Sequence, residues 1–276
     1  MKKHTTSPAA LLTLATEWWT TSIIDISPGV IRPRGIPIQD LIGAITFPQM
    51  IWLMLRGSLP EVAQARLLEA ALVSAVDHGP QAPSIAISRM AVTCGLSLNG
   101  AMASAINVLD DVHGGAGEQA LELYARVQAV LGEEPGDLAA AVDTALDEHI
   151  ASVGKMVPGF GHRFHPVDPR VAPLLALVDE ATKNGIVSGV YARIGRATEA
   201  ALKTRNGRPI PMNVDGVTAV VYGELGFPPP LARGLFILSR SVGILAHAWE
   251  QTEQGERIKG PMPPQIAYRY TGPNAP

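Results

Sequence analysis

Apolar positions recur at helical spacing along most of the chain, and proline and glycine residues separate the segments. Pro60 opens EVAQARLLEAALVSAVDHG, in which Gly79 is the predicted end of the helix. The alternation typical of a strand is present only weakly, in GVIRPRGIPI. The pattern predicts an all-α protein, with further helices in PGDLAAAVDTALDEHI, VAPLLALVDEATKNG, VYARIGRATEAALKT, VDGVTAVVYGELG and PPPLARGLFILSRSVGILAHAWEQ.

The longest uncharged run, residues 90–109, is long enough to span a bilayer. Its asparagine, glycine, serine and alanine content instead favours a close-packed helix or helix pair, inside the protein or at a subunit contact. The N-terminal MKKHTTSPAALLTLATEWWTTS predicts an arm or helix, because it lacks the long apolar region and the cleavage site of a secretion signal. The proline-rich IKGPMPPQIAYRYTGPNAP predicts an extended tail. We therefore expect no membrane segment.

Composition narrows the classes of function. Hydrophobic residues make up 47% of the 276 residues, mainly as alanine and leucine, which again favours helix over sheet. The net charge of −3 gives no electrostatic reason to expect nucleic acid as a partner. The single cysteine, Cys94, excludes an internal disulfide and a cysteine zinc cluster. It is compatible with a cytoplasmic location, which we expect.

Three histidines stand beside glycine at points where helices are expected to break: His78, His113 and His162. For each of them alone, a capping or hydrogen-bonded role is the simpler explanation. Together with Asp215, just before a helix, they indicate general acid–base chemistry, because histidine and carboxylate are its usual partners near neutral pH. The remaining histidines are expected to be solvated, at His4, His149 and His165, or packed within a helix, at His247.

Arginines add groups that can bind a carboxylate, at Arg163, Arg170 and Arg240. Arg240 interrupts an otherwise apolar helix, GLFILSRSVGILAH, so its burial requires an anionic partner. That partner is either a bound carboxylate or a structural Asp or Glu, and the sequence leaves both open. A metal site at HRFHPVD is disfavoured, because Pro166 breaks any helix that would align its histidines with Asp168. No serine-nucleophile, phosphate-loop or dinucleotide motif is present.

These motifs, taken in order, resemble the citrate synthase superfamily from about Gly29 to Gly272. The resemblance rests on GVIRPRGIPIQDLIGAITFPQMIWLMLRGSLP, HGGAGE, PGFGHRFHPVDPR, NVDG and LFILSRSVGILAHAWEQ. It implies a citrate synthase-like fold, in which residues 1–113 and 214–276 form a large helical domain and residues 114–213 an inserted smaller helical domain. It also implies a homodimer in which small-residue helices meet.

The same resemblance implies roles for individual residues. The catalytic positions are His113, His162 and Asp215, and the positions that hold oxaloacetate or citrate are His78, Arg170 and Arg240, together with His162. Positions near the coenzyme A phosphates are Lys155, Arg163 and Arg208. The loop VPGFGHRFHPVDPR, residues 157–170, would then supply a catalytic histidine, a carboxylate-binding arginine and a coenzyme A contact from one turn.

The expected activity is that of a citryl-CoA lyase, which cleaves citryl-CoA or a close 3-hydroxy-3-carboxyl-acyl-CoA to acetyl-CoA and oxaloacetate without a metal or redox cofactor. VDHGPQAPS resembles the corresponding segment of citryl-CoA lyases, and the length of the chain is close to theirs. His113 is retained where the lyase module of ATP citrate lyase lacks a histidine. Lys259 or Arg257 stands near the position of the arginine that synthases supply from the partner subunit.

Two other functions stay open at this point. One is a short citrate or methylcitrate synthase, which condenses an acyl-CoA with oxaloacetate. The other is a non-catalytic scaffold on the same fold, against which the complete set of His113, His162 and Asp215 argues.

Overall fold

A computed structural model describes residues 7–132, 136–161 and 166–273 of the chain. The predictions made for His4, His162, Arg163 and His165 lie outside the described residues. Contacts divide the chain into two compact units, Met1–Arg66 and Leu67–Pro276, and every other site residue predicted from the sequence belongs to the second unit.

The first unit contains three helices and a hairpin within its described residues: α1 Pro8–Trp18, β1 Ile24–Ser27, β2 Val30–Pro33, α2 Ile38–Leu41 and α3 Phe47–Arg56. The two strands pair antiparallel, with Ile24 opposite Pro33, and β2 lies in the segment where the sequence shows weak alternation. Thr46 and Gln49 form a reciprocal capping box at the start of α3, which Gly57 ends in a left-handed conformation. Local capping residues thus set the limits of α3.

The second unit is helical throughout its described residues, and the division from the first unit falls within α4. Its helices are α4 Val62–Ser74, α5 Pro83–Thr93, α6 Leu98–Ile106, α7 Ala116–Leu131, α8 Leu138–Ser152, α9 Val171–Lys183, α10 Val190–Asn206, α11 Val214–Glu224 and α12 Pro229–Gln254. Within the part of the chain that the structure describes, only isolated bridges occur besides the hairpin of the first unit. The expected all-α fold is confirmed.

Helix α11 is buried on nearly all sides and packs against α7, α9 and α10. Glycine permits the closest of these approaches, because a Cβ at Gly223 would lie 2.4 Å from a ring carbon of Tyr191. The long helix α12 packs against α5, α6 and α7. The N-terminus of α11 and the middle of α12 are therefore held rigidly, and both carry residues of the candidate site.

The run at residues 90–109 forms the expected helix pair, since α5 and α6 pack together around a turn that contains Gly95 at φ 96°. Residues 256–273 form the expected tail, which is exposed and contains no helix or strand. The prediction that α4 continues to Gly79 is wrong, because the helix ends at Ser74. Arg170 and Arg240 donate hydrogen bonds to the carbonyl groups of Ser74 and Ala75, and the chain leaves the helix there.

Helix α12 is long and apolar enough to cross a membrane by length and composition alone. However, 44% of its most apolar window is buried inside the structure, as in the core helix of a globular domain, so this evidence is weak. The division into a domain of residues 1–113 and 214–276 and an insert of residues 114–213 stays a prediction.

Candidate active site

The loop at residues 157–161 is attached directly to the start of α11. Asn213 donates its backbone N–H to the carbonyl of Gly159 at 2.9 Å and its side-chain amide to the carbonyl of Gly161 at 2.7 Å. A Cβ at Gly159 would lie 2.8 Å from Cα of Gly216, so only glycine permits this approach. The side chain of Asn213 also accepts from the N–H groups of Asp215 and Gly216 and caps α11. One asparagine therefore holds the loop and the first turn of α11 together.

Asp215 lies in that first turn and is half-buried. Its carboxylate faces the start of α7, since a Cβ at Gly117 would lie 3.9 Å from Oδ1 of Asp215. Burial raises the pKa of Asp215 and the charge of Asp168 adds to this, while Arg170 and Arg240 oppose it. A carboxyl group with a raised pKa is suited to giving and taking a proton.

His113 lies in the loop between α6 and α7, and its ring contacts the start of α5. Ser84 donates its backbone N–H to Nε2 of His113 at 3.2 Å, and its hydroxyl oxygen lies 3.0 Å from the same nitrogen. Because Nε2 accepts, the proton of the neutral ring is on Nδ1. Burial lowers the pKa of His113, and the charges of Arg240 and His78 lower it further. The ring is thus held neutral, with Nδ1–H as a hydrogen-bond donor.

Arg240 is buried in the middle of α12, as the sequence predicted. It donates from Nε to the carbonyl of Ala75 at 3.0 Å and stacks on Phe236 at 4.9 Å from the ring centroid. Its pKa is lowered by burial, with Arg170 adding to this, while Asp215 and Asp77 oppose it. Among the described residues no carboxylate forms an ion pair with Arg240, and none accepts from Nη1 or Nη2. Of the two partners left open by the sequence, a bound anion fits this environment better.

Arg170 has a partner within the chain that the sequence analysis missed. Asp168 accepts from Nε at 2.9 Å and from Nη2 at 2.8 Å, and Ser74 accepts from Nη1. The Asp168 side chain is fully buried and also accepts from the N–H of Val214, at the start of α11. These bonds outweigh the effect of burial and lower the pKa of Asp168 to about 2. One hydrogen remains on each of Nη1 and Nη2 for a ligand. The sequence signal for this ion pair was the short spacing D-P-R, which places the carboxylate of Asp168 beside the guanidinium of Arg170.

His78 is exposed in the turn between α4 and α5, and its charge acts on His113. Electrostatic coupling therefore connects five of the predicted residues across three parts of the second unit: His78, His113, Arg170, Asp215 and Arg240. The sequence predicted that these residues and His162 surround one water-poor pocket, and that pocket stays a prediction. The roles of these residues, and of His162, stay predictions.

The coenzyme A positions are less closely connected to this cluster. Lys155 and Arg208 are both exposed, Lys155 after the end of α8 and Arg208 after the end of α10. Arg208 precedes a segment, residues 209–212, that lines a cavity of about 490 Å³ together with Arg196 and Lys203. Three cationic side chains that could contact a phosphate group, those of Arg196, Lys203 and Arg208, therefore lie at this cavity or next to it.

Two histidine predictions are settled by the structure. His149 was expected to be solvated, and this is wrong: it is 6% exposed, and its Nε2 lies 2.8 Å from the carbonyl oxygen of Met156. This hydrogen bond gives Nε2 of His149 a partner at the end of α8, so the ring can be buried. His247 is packed against its neighbours, as expected. Within the described residues no group of three potential ligands could hold a metal ion.

The second unit thus brings a histidine, a carboxylate and a buried arginine together on a helical fold. The family model "Citrate synthase, C-terminal domain" matches residues 61–262. The chain belongs to the citrate synthase family.

Curated relatives include the citrate synthase of Heyndrickxia coagulans, which is 29% identical over 84% of this chain and 57% of its own length. The citrate synthase of Haloferax volcanii is 33% identical over 79% of this chain and 53% of its own length. The chain thus spans little more than half the length of these relatives. Among solved structures, the citryl-CoA lyase from Hydrogenobacter thermophilus is similar with a TM-score of 0.81 and 29% identity, over 93% of this chain and 96% of the other.

Proposed function

We propose that the protein is a citryl-CoA lyase, which cleaves citryl-CoA or a close 3-hydroxy-3-carboxyl-acyl-CoA to acetyl-CoA and oxaloacetate. The observation that carries the proposal is the arrangement of a neutral His113, an Asp215 with a raised pKa and an Arg240 without a carboxylate partner among the described residues. Similarity to the citryl-CoA lyase from Hydrogenobacter thermophilus along nearly the whole of both chains supports this choice within the family.

The reaction needs three groups at the bond that breaks. A base takes the proton of the tertiary hydroxyl group as the carbon–carbon bond opens and oxaloacetate forms; the family resemblance gives this role to His162. The electron pair moves onto the thioester as an enolate. Nδ1–H of His113 donates to the enolate oxygen, and fixed donors of this kind supply on the order of 3 kcal/mol. Asp215 then delivers a proton to the carbon atom, which completes acetyl-CoA.

The substrate carboxylates are held by arginines. Arg240 offers up to four N–H groups from Nη1 and Nη2, and Arg170 offers two that its bonds to Asp168 and Ser74 leave unused. His78 adds a third contact beside His113. Holding both ends of the citryl group aligns the scissile bond with the catalytic groups. Lys155 and Arg208 are proposed to contact the phosphates of coenzyme A.

A short citrate or methylcitrate synthase is the second candidate. The specific observation in its favour is that the curated relatives at 29% and 33% identity are citrate synthases. The same three groups would run the reaction toward condensation, followed by thioester hydrolysis. We further propose a homodimer in a cytoplasmic location, with no metal, nucleic acid or membrane partner, on the basis of the family resemblance.

One pair of incubations distinguishes the candidates. The purified protein is given citryl-CoA in one reaction and oxaloacetate with acetyl-CoA in the other, and thioesters are separated by chromatography. Acetyl-CoA from the first reaction identifies a lyase, and free coenzyme A from the second identifies a synthase. The absence of both products would contradict the enzyme proposal and leave a scaffold on this fold.

A further inference from the structure

One face of α12 fixes the segment that carries His78. Ser239 donates to the carbonyl of Leu72 at 2.5 Å, and Arg240 donates to the carbonyl of Ala75 at 3.0 Å. One turn later Gly243 lies so close that a Cβ there would be 2.2 Å from the carbonyl oxygen of Val76. These positions follow helical spacing, and the next one on the same face is His247. The contact face therefore continues beyond Arg240.

His247 has partners on both ring nitrogens. Nδ1 lies 3.2 Å from Nη1 of Arg89, and Nε2 lies 3.3 Å from Oδ1 of Asp77. An arginine only donates, so Nδ1 accepts and the proton of the neutral ring is on Nε2. Arg89 thereby selects the tautomer that carries the proton on Nε2, the ring nitrogen nearer to Asp77. Arg89 itself is held by ion pairing with Glu250 and by a hydrogen bond to Gln254 at 2.8 Å.

Asp77 connects His247 to the turn that contains His78. Its Oδ2 accepts from the backbone N–H of Gly79 at 3.1 Å, which closes a tight turn around His78. Its Oδ1 is shielded from solvent and has no hydrogen-bond partner among the described residues, and Nε2 of His247 lies 3.3 Å from it at ion-pair distance. Burial raises the pKa of Asp77, but the backbone N–H groups of Gly79 and His78 and the nearby ring of His247 outweigh it, so the pKa is lowered. The carboxylate thus bridges α12 and the His78 turn.

We propose that His247 is a positioning residue for His78, acting through Asp77. The ring of His247 lies against one carboxylate oxygen and the other oxygen accepts from the turn, and this turn carries His78, whose charge acts on His113. The inference rests on the proposed function in one respect, the contact of His78 with substrate. The bridge itself is a property of the unliganded protein.

The test compares His247→Leu, which removes the N–H donor, with His247→Gln, whose amide nitrogen can reach the place of Nε2. Amide hydrogen exchange of the unliganded protein reports on Gly79, and the kinetics with citryl-CoA report on catalysis. For His247→Leu we expect exchange at Gly79 to accelerate, and KM to rise, each on the order of tenfold, because a buried acceptor loses its partner. We expect kcat to fall less than KM rises, and His247→Gln to recover most of both effects.

Gln254→Leu is the matched control, since it removes another partner of Arg89 on the same helix without touching Asp77. It should leave exchange at Gly79 and KM close to those of the unaltered protein. If the leucine variant folds poorly, Asp77→Asn tests the same bridge, because its single acceptor oxygen cannot serve both Gly79 and His247.

Unchanged exchange at Gly79 in His247→Leu or in Asp77→Asn would overturn the inference, as would equal losses in His247→Leu and His247→Gln. If the unaltered protein turns over neither citryl-CoA nor acetyl-CoA with oxaloacetate, the proposed function fails. The exchange measurement would still decide whether the bridge exists.

Discussion

Arg170 and Arg240 meet the same site from two directions and are held in opposite ways. Arg170 is paired through two bonds with a fully buried carboxylate, Asp168. Arg240 is 5% exposed, and the described residues supply it with one backbone carbonyl and an aromatic ring but no carboxylate. The guanidinium of Arg170 is therefore part of the folded framework, and that of Arg240 is available to a bound anion.

The difference shows that one arginine of a site can stabilise the fold while another serves to bind a ligand. A buried ion pair resists removal of one partner, because the other is left as an uncompensated charge. A buried charge without a partner lowers stability, and it is retained where a bound ligand supplies the opposite charge. His113 combines both conditions in one ring, since Nε2 is satisfied by Ser84, which leaves the N–H donor on Nδ1 for a ligand.

The largest expected effect is that of Arg240→Met on catalysis. Loss of the guanidinium should lower kcat/KM for citryl-CoA by about a thousandfold, which corresponds to about 4 kcal/mol for a buried charged contact. The thermal midpoint, measured at matched protein concentration, should stay the same or rise, because a desolvated charge is removed. Arg205→Met, which alters a surface ion pair on α10, serves as the control and should leave kcat/KM unchanged. A large fall in the midpoint with Arg240→Met would mean that this arginine is structural.

Arg170→Met should show the reverse balance. It leaves the buried Asp168 without its partner, and we expect a loss of unfolding free energy of about 3 kcal/mol. Chemical denaturation measures this, and the double variant Arg170→Met with Asp168→Leu should recover a large part of the loss. A single variant as stable as the unaltered protein would show that the pair contributes little. In that case the contrast with Arg240 would disappear.

The sequence predicted Arg240 better than Arg170 for a physical reason. A charge inside an apolar helical run is visible as a break in periodicity, whereas the Asp168–Arg170 pair depends on a loop conformation that no periodicity describes. The same limit explains the early end of α4. Helical spacing continues past Ser74, but side chains from α12 and from residue 170 take the carbonyl groups there.

Longer-range partners were harder still to predict. His247 was expected to be a packed helix residue, and its contact with Asp77 joins positions 170 residues apart in the chain. His149 was misjudged because the carbonyl of Met156 returns to it only after the helix has ended. The helices and the candidate residues could be predicted from local pattern and resemblance. The hydrogen-bond partners that set tautomers and pKa values required the folded chain.

The Asp168–Arg170 pair should also give a pH dependence. The pKa of Asp168 is about 2 in the folded protein against an ordinary value of 3.8, so its contribution is fully present only above about pH 5. It is lost as pH falls through the folded pKa, and the total is about 2 kcal/mol at 1.36 kcal/mol per pKa unit. Denaturation between pH 5 and about pH 2 should show a steeper loss than for Asp168→Asn. Parallel curves for the two proteins would show that Asp168 is not the group responsible.

The smallest expected effect concerns the internal partner of His113. Ser84→Ala removes the hydroxyl near Nε2 but keeps the backbone N–H that donates to the same atom, so the tautomer should persist. We expect kcat to fall by roughly threefold to tenfold, about 1 kcal/mol for one neutral hydrogen bond, with KM unchanged because the ring still faces the substrate. Ser88→Ala, one turn further along α5, is the matched control, since its hydroxyl bonds only the carbonyl of Ile85. A rise in KM without a change in kcat would instead place His113 in ground-state binding, and its Nδ1–H would then not act on the enolate.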